Sequence, residues 1–119
     1  MREDRLFLED IQARIDLIRT FTAAGREAFM ASRLIQEAVL RSLEIIGEAS
    51  RQLSQALREA HPEVPWRQII AFRNFVAHAY WDIRPERVWE IVERDLQPLQ
   101  EAINAILAEL SSKSSHEGG

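Results

Sequence analysis

The stretch HPEVPWRQIIAFRNFVAHAYWDI, residues 61–83, decides how this chain folds. Two prolines open it. Because proline lacks the N–H of a helical hydrogen bond, they end one helix and favour the start of another, with Pro65 in its first turn. The new helix then runs from about Trp66 into a group of polar side chains: Arg73, Asn74, His78 and Tyr80. The stretch therefore predicts one helix that carries most of the chain's uncommon polar chemistry.

Helical patterns extend in both directions from this stretch. Apolar residues recur at intervals of three and four over about residues 2–23, 29–57 and 85–110. Alternating strand patterns and Asn-Gly or Asp-Gly hairpin signals are missing from the sequence. The sequence predicts an all-α fold, an antiparallel bundle of four main helices joined by short connections.

Two residues lie inside these predicted helices where helix propensity disfavours them. Gly47 falls within the second helix, where glycine costs about 1 kcal/mol relative to alanine, so we expect another backbone to approach closely there. Pro98 falls within the fourth helix. Its ring should clash with the carbonyl of Arg94 and bend the helix.

The length of 119 residues fits a single domain. We expect residues 1–110 to form it, and the polar segment 111–119 to be a disordered C-terminal tail. Each helix also carries apolar residues away from its main stripe. These residues predict either the buried surface of a twofold homodimer or a wider core in the monomer: they include Phe29, Leu40, Trp81 and Trp89.

Composition and charge argue against several kinds of site. The net charge of -4 disfavours nucleic-acid binding by bulk electrostatic attraction. The chain has no cysteine and its histidines lack ligand spacing, so we expect no metal site and no cofactor. No apolar run is long enough to cross a membrane and the N-terminus is charged throughout, so we expect a cytoplasmic protein.

The polar group of the third helix suits chemistry on a phosphodiester. Arg73 can donate two hydrogen bonds to phosphate oxygens and stabilise the added charge of the transition state. His78 can transfer a proton near neutral pH. Asn74 can orient either group, and Tyr80 can stack on a base or donate a hydrogen bond.

Helical geometry limits how these groups can act together. Arg73 and His78 are five residues apart, so one continuous helix directs them about 140° away from each other. Their convergence requires a loosened last turn or a second copy of the motif across a symmetry axis. A structural role is also open, in which Arg73 pairs with Glu44 or Glu48 and the other groups end a helix.

Three blocks of the sequence, in this order and spacing, resemble the HepT-like branch of the HEPN superfamily. They are LEIIGEASRQLS (43–54), HPEVPWRQIIAFRNFVAHAYWDI (61–83) and VWEIVERDLQPLQEAI (88–103). The second block contains the pattern R-x4-H-x-Y, with Arg73, His78 and Tyr80 at its named positions. In the first block, Glu48 can pair with Arg73 and fix its direction, or remain a solvated carboxylate.

The resemblance implies a HEPN-like homodimer in which two R-x4-H motifs line one cleft. It implies a metal-independent endoribonuclease, the toxin of a toxin–antitoxin pair, with Arg73 and His78 catalytic and Asn74 supporting. The antitoxin would be an MntA-type nucleotidyltransferase that transfers AMP to Tyr80, where added bulk and negative charge would exclude RNA. The alternative is a non-catalytic partner that binds a nucleotidyltransferase or a nucleotide.

Overall fold

A computed structural model describes the backbone conformation of residues 2–118, and their side chains apart from those of Arg2, Trp81 and residues 114–118. Over this part of the chain every regular element is helical, which confirms the predicted all-α class. None of the helices described there is long and apolar enough to cross a membrane. The elements are α1 (Arg2–Phe21), α2 (Arg26–Ala31), α3 (Arg33–Gln52), α4 (Gln55–Ala60), α5 (Trp66–His78), a 3-10 turn (Tyr80–Asp82), α6 (Pro85–Glu90), a π-helical turn (Ile91–Asp95) and α7 (Leu96–Gly118).

The central helix of the fold is α3. It packs against α1 and α5, and α7 packs against α1. Buried residues recur at intervals of three and four on these helices, as one core-facing side requires. On α1 they are Leu8, Ile11, Ile15 and Ile18, and on α3 they include Val39, Leu43, Ile46 and Ser50.

The second predicted helix, residues 29–57, is divided into three in the structure. Ser32 is extended and caps α3, accepting a hydrogen bond from the Ile35 N–H at 3.1 Å. Ser54 caps α4 in the same way, accepting from the Leu57 N–H at 3.2 Å. The prediction of one continuous helix was wrong because apolar periodicity runs through both serines, whereas each N-cap stabilises a new helix start by about 1 kcal/mol.

The fourth predicted helix begins at Pro85 as expected, but it is interrupted by the π-helical turn over Ile91–Asp95. Pro98 lies in the first turn of α7, directly after this wider turn. A π turn leaves room beside the carbonyl of Arg94 that a regular α-helical turn would not. The irregularity expected at Pro98 therefore takes the form of a π turn.

The chain ends in segment 111–119, for which the sequence predicts a disordered tail. Helix α7 continues to Gly118, through most of segment 111–119, and Gly119 lies outside the described residues. The segment starts in contact with α1, because Arg5 Nη2 donates to Ser111 Oγ at 3.2 Å. Once a helix is nucleated, each further residue adds a backbone hydrogen bond at little cost, so helical backbone can extend beyond the last core residue.

Two of the residues outside the main stripes lie in the core of the monomer, and a third packs against it. Phe29 is 1% exposed, and its ring packs against Trp89 with centroids 5.3 Å apart. Leu40 is buried as well. The side chain of Trp81 lies outside the described residues. Phe29, Leu40 and Trp89 widen the core and give no support to a dimer.

Helices α3 and α5 approach each other closely at Gly47. A Cβ atom there would overlap Arg73 Cβ, and it would lie 3.0 Å from Arg73 Cγ and 3.1 Å from the carbonyl oxygen of Ile69. The close approach predicted from a glycine within a helix is therefore confirmed. The absence of a side chain at position 47 lets the stem of Arg73 lie directly on α3.

We expect Gly47→Ala to lower the free energy of unfolding by about 1–3 kcal/mol, although alanine favours helix, because the added methyl must push α3 and α5 apart. Urea denaturation followed by circular dichroism measures this difference. The double variant Gly47→Ala/Arg73→Gly moves the Cβ atom from one helix to the other. It should be more stable than the sum of the two single effects predicts. A Gly47→Ala protein as stable as the wild type would contradict the tight contact.

Candidate active site

The motif lies on α5, at the boundary between its buried and exposed faces. Trp66 and Val76 are buried in the core. On the opposite face Asn74 and His78 are exposed, while Arg73 is half-buried against α3. The apolar periodicity of α5 thus fixes which motif residues face solvent and which one faces a neighbouring helix.

Arg73 is held by contacts from two helices. Its Cβ packs on Gly47, and its Nε lies 3.4 Å from Glu48 Oε2. Its Nη1 donates a hydrogen bond to Asn74 Oδ1 at 3.0 Å. The Nε–H of Arg73 is shielded from solvent, and its ion pair with Glu48 lacks hydrogen-bond geometry. The structure therefore brings Arg73, Asn74 and Glu48 together into one cluster that directs the guanidinium group.

Glu48, and not Glu44, is the carboxylate that pairs with Arg73. Glu44 pairs with Arg41 at 3.1 Å. Glu48 also accepts hydrogen bonds from Arg51 at 2.7 and 3.2 Å and from Gln52 at 3.3 Å. The hydrogen bonds from Arg51, opposed by desolvation and assisted by Gln52 and the charges of Arg51 and Arg73, lower the pKa of Glu48 to about 2. Glu48 is thus an anion throughout the neutral and mildly acidic range.

A solvent-open pocket of about 450 Å³ reaches Arg73 from the side of α1 and α3. Its charged lining is mainly acidic beside Arg73 and Arg41: Asp10, Glu44 and Glu48. Like charges repel a phosphate group that enters from this side. These carboxylates therefore disfavour the approach of an anionic ligand to Arg73 from the α1 and α3 side.

His78 is the last residue of α5 and is exposed to solvent. The N–H of Ala79 donates to the carbonyl of Phe75 at 2.8 Å, so the last turn keeps its α-helical hydrogen bonding. In such an intact helix His78 points about 140° away from Arg73 and lies about 7 Å further along the axis. A loosened last turn does not occur here, and a single chain does not direct both groups to one atom.

Tyr80 begins the 3-10 turn after α5 and is 37% exposed. The nearby Glu37 carboxylate, together with burial, raises the pKa of the Tyr80 hydroxyl, and the charge of Arg33 opposes this shift. Arg33 and Glu37 form an ion pair at 3.5 Å on the first turns of α3. Sequence reasoning missed both residues, because no spacing pattern links the start of α3 to the end of α5.

The chemistry of the site is that of guanidinium, imidazole, amide and phenol groups. Among the side chains that are described, no group of three or more His, Cys, Asp or Glu residues could hold a metal ion. Arg73 can bind phosphate oxygens, and His78 can exchange a proton with solvent or a ligand. Tyr80 is partly exposed and presents a protonated hydroxyl.

Comparison with known proteins matches the chain to one family. The model of the family described as "Ribonuclease HepT-like" matches residues 11–106. The protein named "Probable ribonuclease HepT" from Thermococcus cleftensis is 38% identical over 100 residues, which cover 83% of this chain and 91% of that protein. A protein from Methanocaldococcus jannaschii named "Putative RNase" is 34% identical over 106 residues, covering 88% of this chain and 97% of that protein. No solved structure matches the chain.

The ion pairs of Glu48 lead to a prediction about pH. Because the pKa of Glu48 is about 2 in the folded chain against 4.5 for an ordinary glutamate, its stabilising effect is present above pH 4.5 and is lost as the pH falls to about 2. Glu48→Gln should therefore lower the free energy of unfolding slightly at neutral pH, and this difference from the wild type should vanish near pH 2. Urea denaturation across this pH range measures it.

The same effect of Glu48→Gln, measured in a chain that carries Arg51→Gln, is the matched comparison. Without its main hydrogen-bond donor, the pKa of Glu48 should rise towards 4.5, so the effect of Glu48→Gln should vanish at a higher pH than in the wild type. An effect of Glu48→Gln that grows on acidification would contradict the assigned ion pairs.

Proposed function

The chain belongs to the ribonuclease HepT-like family, and from this membership we propose that it is a metal-independent endoribonuclease whose active site forms between two copies of the chain. The observation that carries the proposal is the placement of Arg73 and His78 on one intact helix, pointing in different directions. Their joint action on one phosphate then needs a second α5. A twofold axis provides it, with the same two residues on each side.

In the proposed reaction the ribose 2′-hydroxyl of the substrate RNA attacks the adjacent phosphorus atom. Arg73 binds the non-bridging oxygens and stabilises the charge that develops on them. His78 of the partner subunit accepts the proton of the 2′-hydroxyl, or donates a proton to the departing 5′-oxygen. The P–O5′ bond breaks, and the products are a 2′,3′-cyclic phosphate and a 5′-hydroxyl end.

Glu48 and Asn74 act as positioning residues in this proposal. Arg73 can stabilise a transition state most effectively if its direction is fixed before the substrate binds. The contacts with Glu48 and Asn74, together with the packing of the Arg73 stem on Gly47, restrict that direction. Neither residue needs to touch the RNA.

The exposed apolar side chains near the motif support dimerisation through the side of the monomer that carries the motif. Phe75 lies between Arg73 and His78 on α5 and is 47% exposed. Leu34, at the start of α3 beside the Arg33–Glu37 pair, is 79% exposed. Large apolar side chains grouped around a polar site are typical of protein interfaces.

The purified wild-type protein should cleave RNA in the presence of EDTA and leave 2′,3′-cyclic phosphate ends. Arg73→Ala and His78→Ala should each lower the cleavage rate by at least about 100-fold, because each removes a group used in the transition state. Gel analysis of a labelled RNA measures the rate, and unchanged thermal unfolding of His78→Ala shows that the exposed substitution leaves the fold intact. Equal cleavage by wild type and both variants would indicate a contaminating nuclease and contradict the proposal.

We further propose that the protein is a toxin silenced by transfer of AMP to Tyr80 from an MntA-type nucleotidyltransferase. The exposure of Tyr80 and its place two residues after His78 support this modification site. Glu37 can accept the proton of the hydroxyl as that oxygen attacks the α-phosphate of ATP and pyrophosphate leaves. The adenylate would place a negative charge beside His78 and repel RNA.

Co-expression with a neighbouring nucleotidyltransferase should add the mass of one or more adenylate groups to the chain, and Tyr80→Phe should abolish the addition. Intact mass spectrometry with peptide mapping measures both results. Adenylated protein should cleave RNA more slowly than unmodified protein. An unmodified chain that binds the nucleotidyltransferase tightly and cleaves no RNA would instead favour a non-catalytic partner.

A further inference from the structure

A second pocket lies away from Arg73, between α4 and the first turns of α5. It is open to solvent, has a volume of about 440 Å³, and is lined by Gln55, Arg58, Glu59, Trp66, Arg67 and Ile70. The pocket lies where α4 begins as a separate helix, since Ser54 is extended after α3 and caps α4.

The lining of this pocket has two arginines that lack carboxylate partners. Neither Arg58 nor Arg67 forms an ion pair within the part of the chain that the structure describes, whereas Arg33, Arg41, Arg51, Arg73 and Arg87 all do. Glu59, the one carboxylate in the lining, accepts a hydrogen bond from Gln55 at 2.9 Å. The pocket therefore has two cationic groups available for an external anion.

Arg58 provides a separate indication of a missing acceptor. Its Nε is shielded from solvent and has no hydrogen-bond partner among the described residues. A shielded N–H without an acceptor is unfavourable, and it leaves the charge of Arg58 without a partner among the described residues. A guanidinium group binds phosphate through planar, paired hydrogen bonds.

The pocket is in line with the proposed active site. Arg67, Asn74 and His78 lie within about 40° of each other around α5, and about 16 Å separates Arg67 from His78 along the axis. All three residues are exposed. A few nucleotides of single-stranded RNA can span this distance along one continuous surface.

We propose that Arg58 and Arg67 form a subsite for a backbone phosphate of the RNA substrate, a few nucleotides away from the scissile bond. This inference rests on the proposed ribonuclease function and adds a binding site to it. In a twofold dimer the subsite occurs twice, once on each side of the central cleft.

The floor of the pocket indicates that the subsite reads phosphate and not base. Trp66 is buried, and its indole N–H donates to the carbonyl of His61 at 3.0 Å. Its ring is therefore not presented for stacking on a base, which is how single-stranded RNA is read by aromatic residues. Contacts to phosphate alone strengthen binding equally for all sequences.

The double variant Arg58→Gln/Arg67→Gln tests the subsite through binding of long, labelled 2′-O-methyl oligonucleotides, which lack the attacking hydroxyl. Fluorescence anisotropy should show roughly tenfold weaker binding than wild type for every sequence tried. The slope of log affinity against log salt concentration should fall by about 0.7 for the lost phosphate contact. A dinucleoside monophosphate has only the scissile phosphate, so the variant and the wild type should cleave it equally fast.

Arg26→Gln is the control for loss of a positive charge outside the subsite. Arg26 is exposed at the start of α2, which lies before the N-terminal end of α3. Helix α4 follows the C-terminal end of α3, about 30 Å away. This variant should bind the long oligonucleotides as the wild type does.

Unchanged binding and salt slope in the double variant would overturn the subsite and leave the proposed function standing. If the double variant weakened the binding of AMP as strongly as the binding of the long oligonucleotides, the phosphate subsite would also be overturned, in favour of a site for free nucleotides. Failure of the wild type to bind or cleave RNA would overturn both proposals.

Discussion

The close contact between α3 and α5 at Gly47 is the constraint on which the rest of the site depends. With no side chain at position 47, the stem of Arg73 packs directly on α3 and its guanidinium emerges beside Glu48, the next residue on that helix. The same contact therefore packs two helices and directs the group that can bind a phosphate. It also sets the rotation of α5, which leaves Asn74 and His78 in solvent.

Charge is distributed unevenly around this contact, which reconciles an acidic chain with an RNA substrate. Carboxylates lie on the α1 and α3 side of Arg73, while the second pocket contains Arg58 of α4 and Arg67 on the exposed face of α5. The net charge of -4 governs long-range attraction, but binding depends on the local field along the path of the RNA. We infer that the acidic side restricts the direction from which RNA approaches.

The helical class, the course of α5 and the close approach at Gly47 could be predicted from the sequence, because each follows from local propensity or from periodicity. The breaks at Ser32 and Ser54 could not, since serine is tolerated within an apolar pattern and only the capping hydrogen bonds reveal its role. The placement of Glu37 beside Tyr80 depends on the register of α3 against α5. Tertiary packing sets that register, and no local spacing encodes it.

Mixing the Arg73→Ala and His78→Ala proteins tests the shared active site most directly. If each site takes Arg73 from one subunit and His78 of the partner subunit, a mixed dimer contains one intact site and one site that lacks both groups. Dissociation and reassociation of an equal mixture should then restore about a quarter of the wild-type cleavage rate, since random pairing makes half of the dimers mixed. A mixture as inactive as its two components would contradict a site built from two copies.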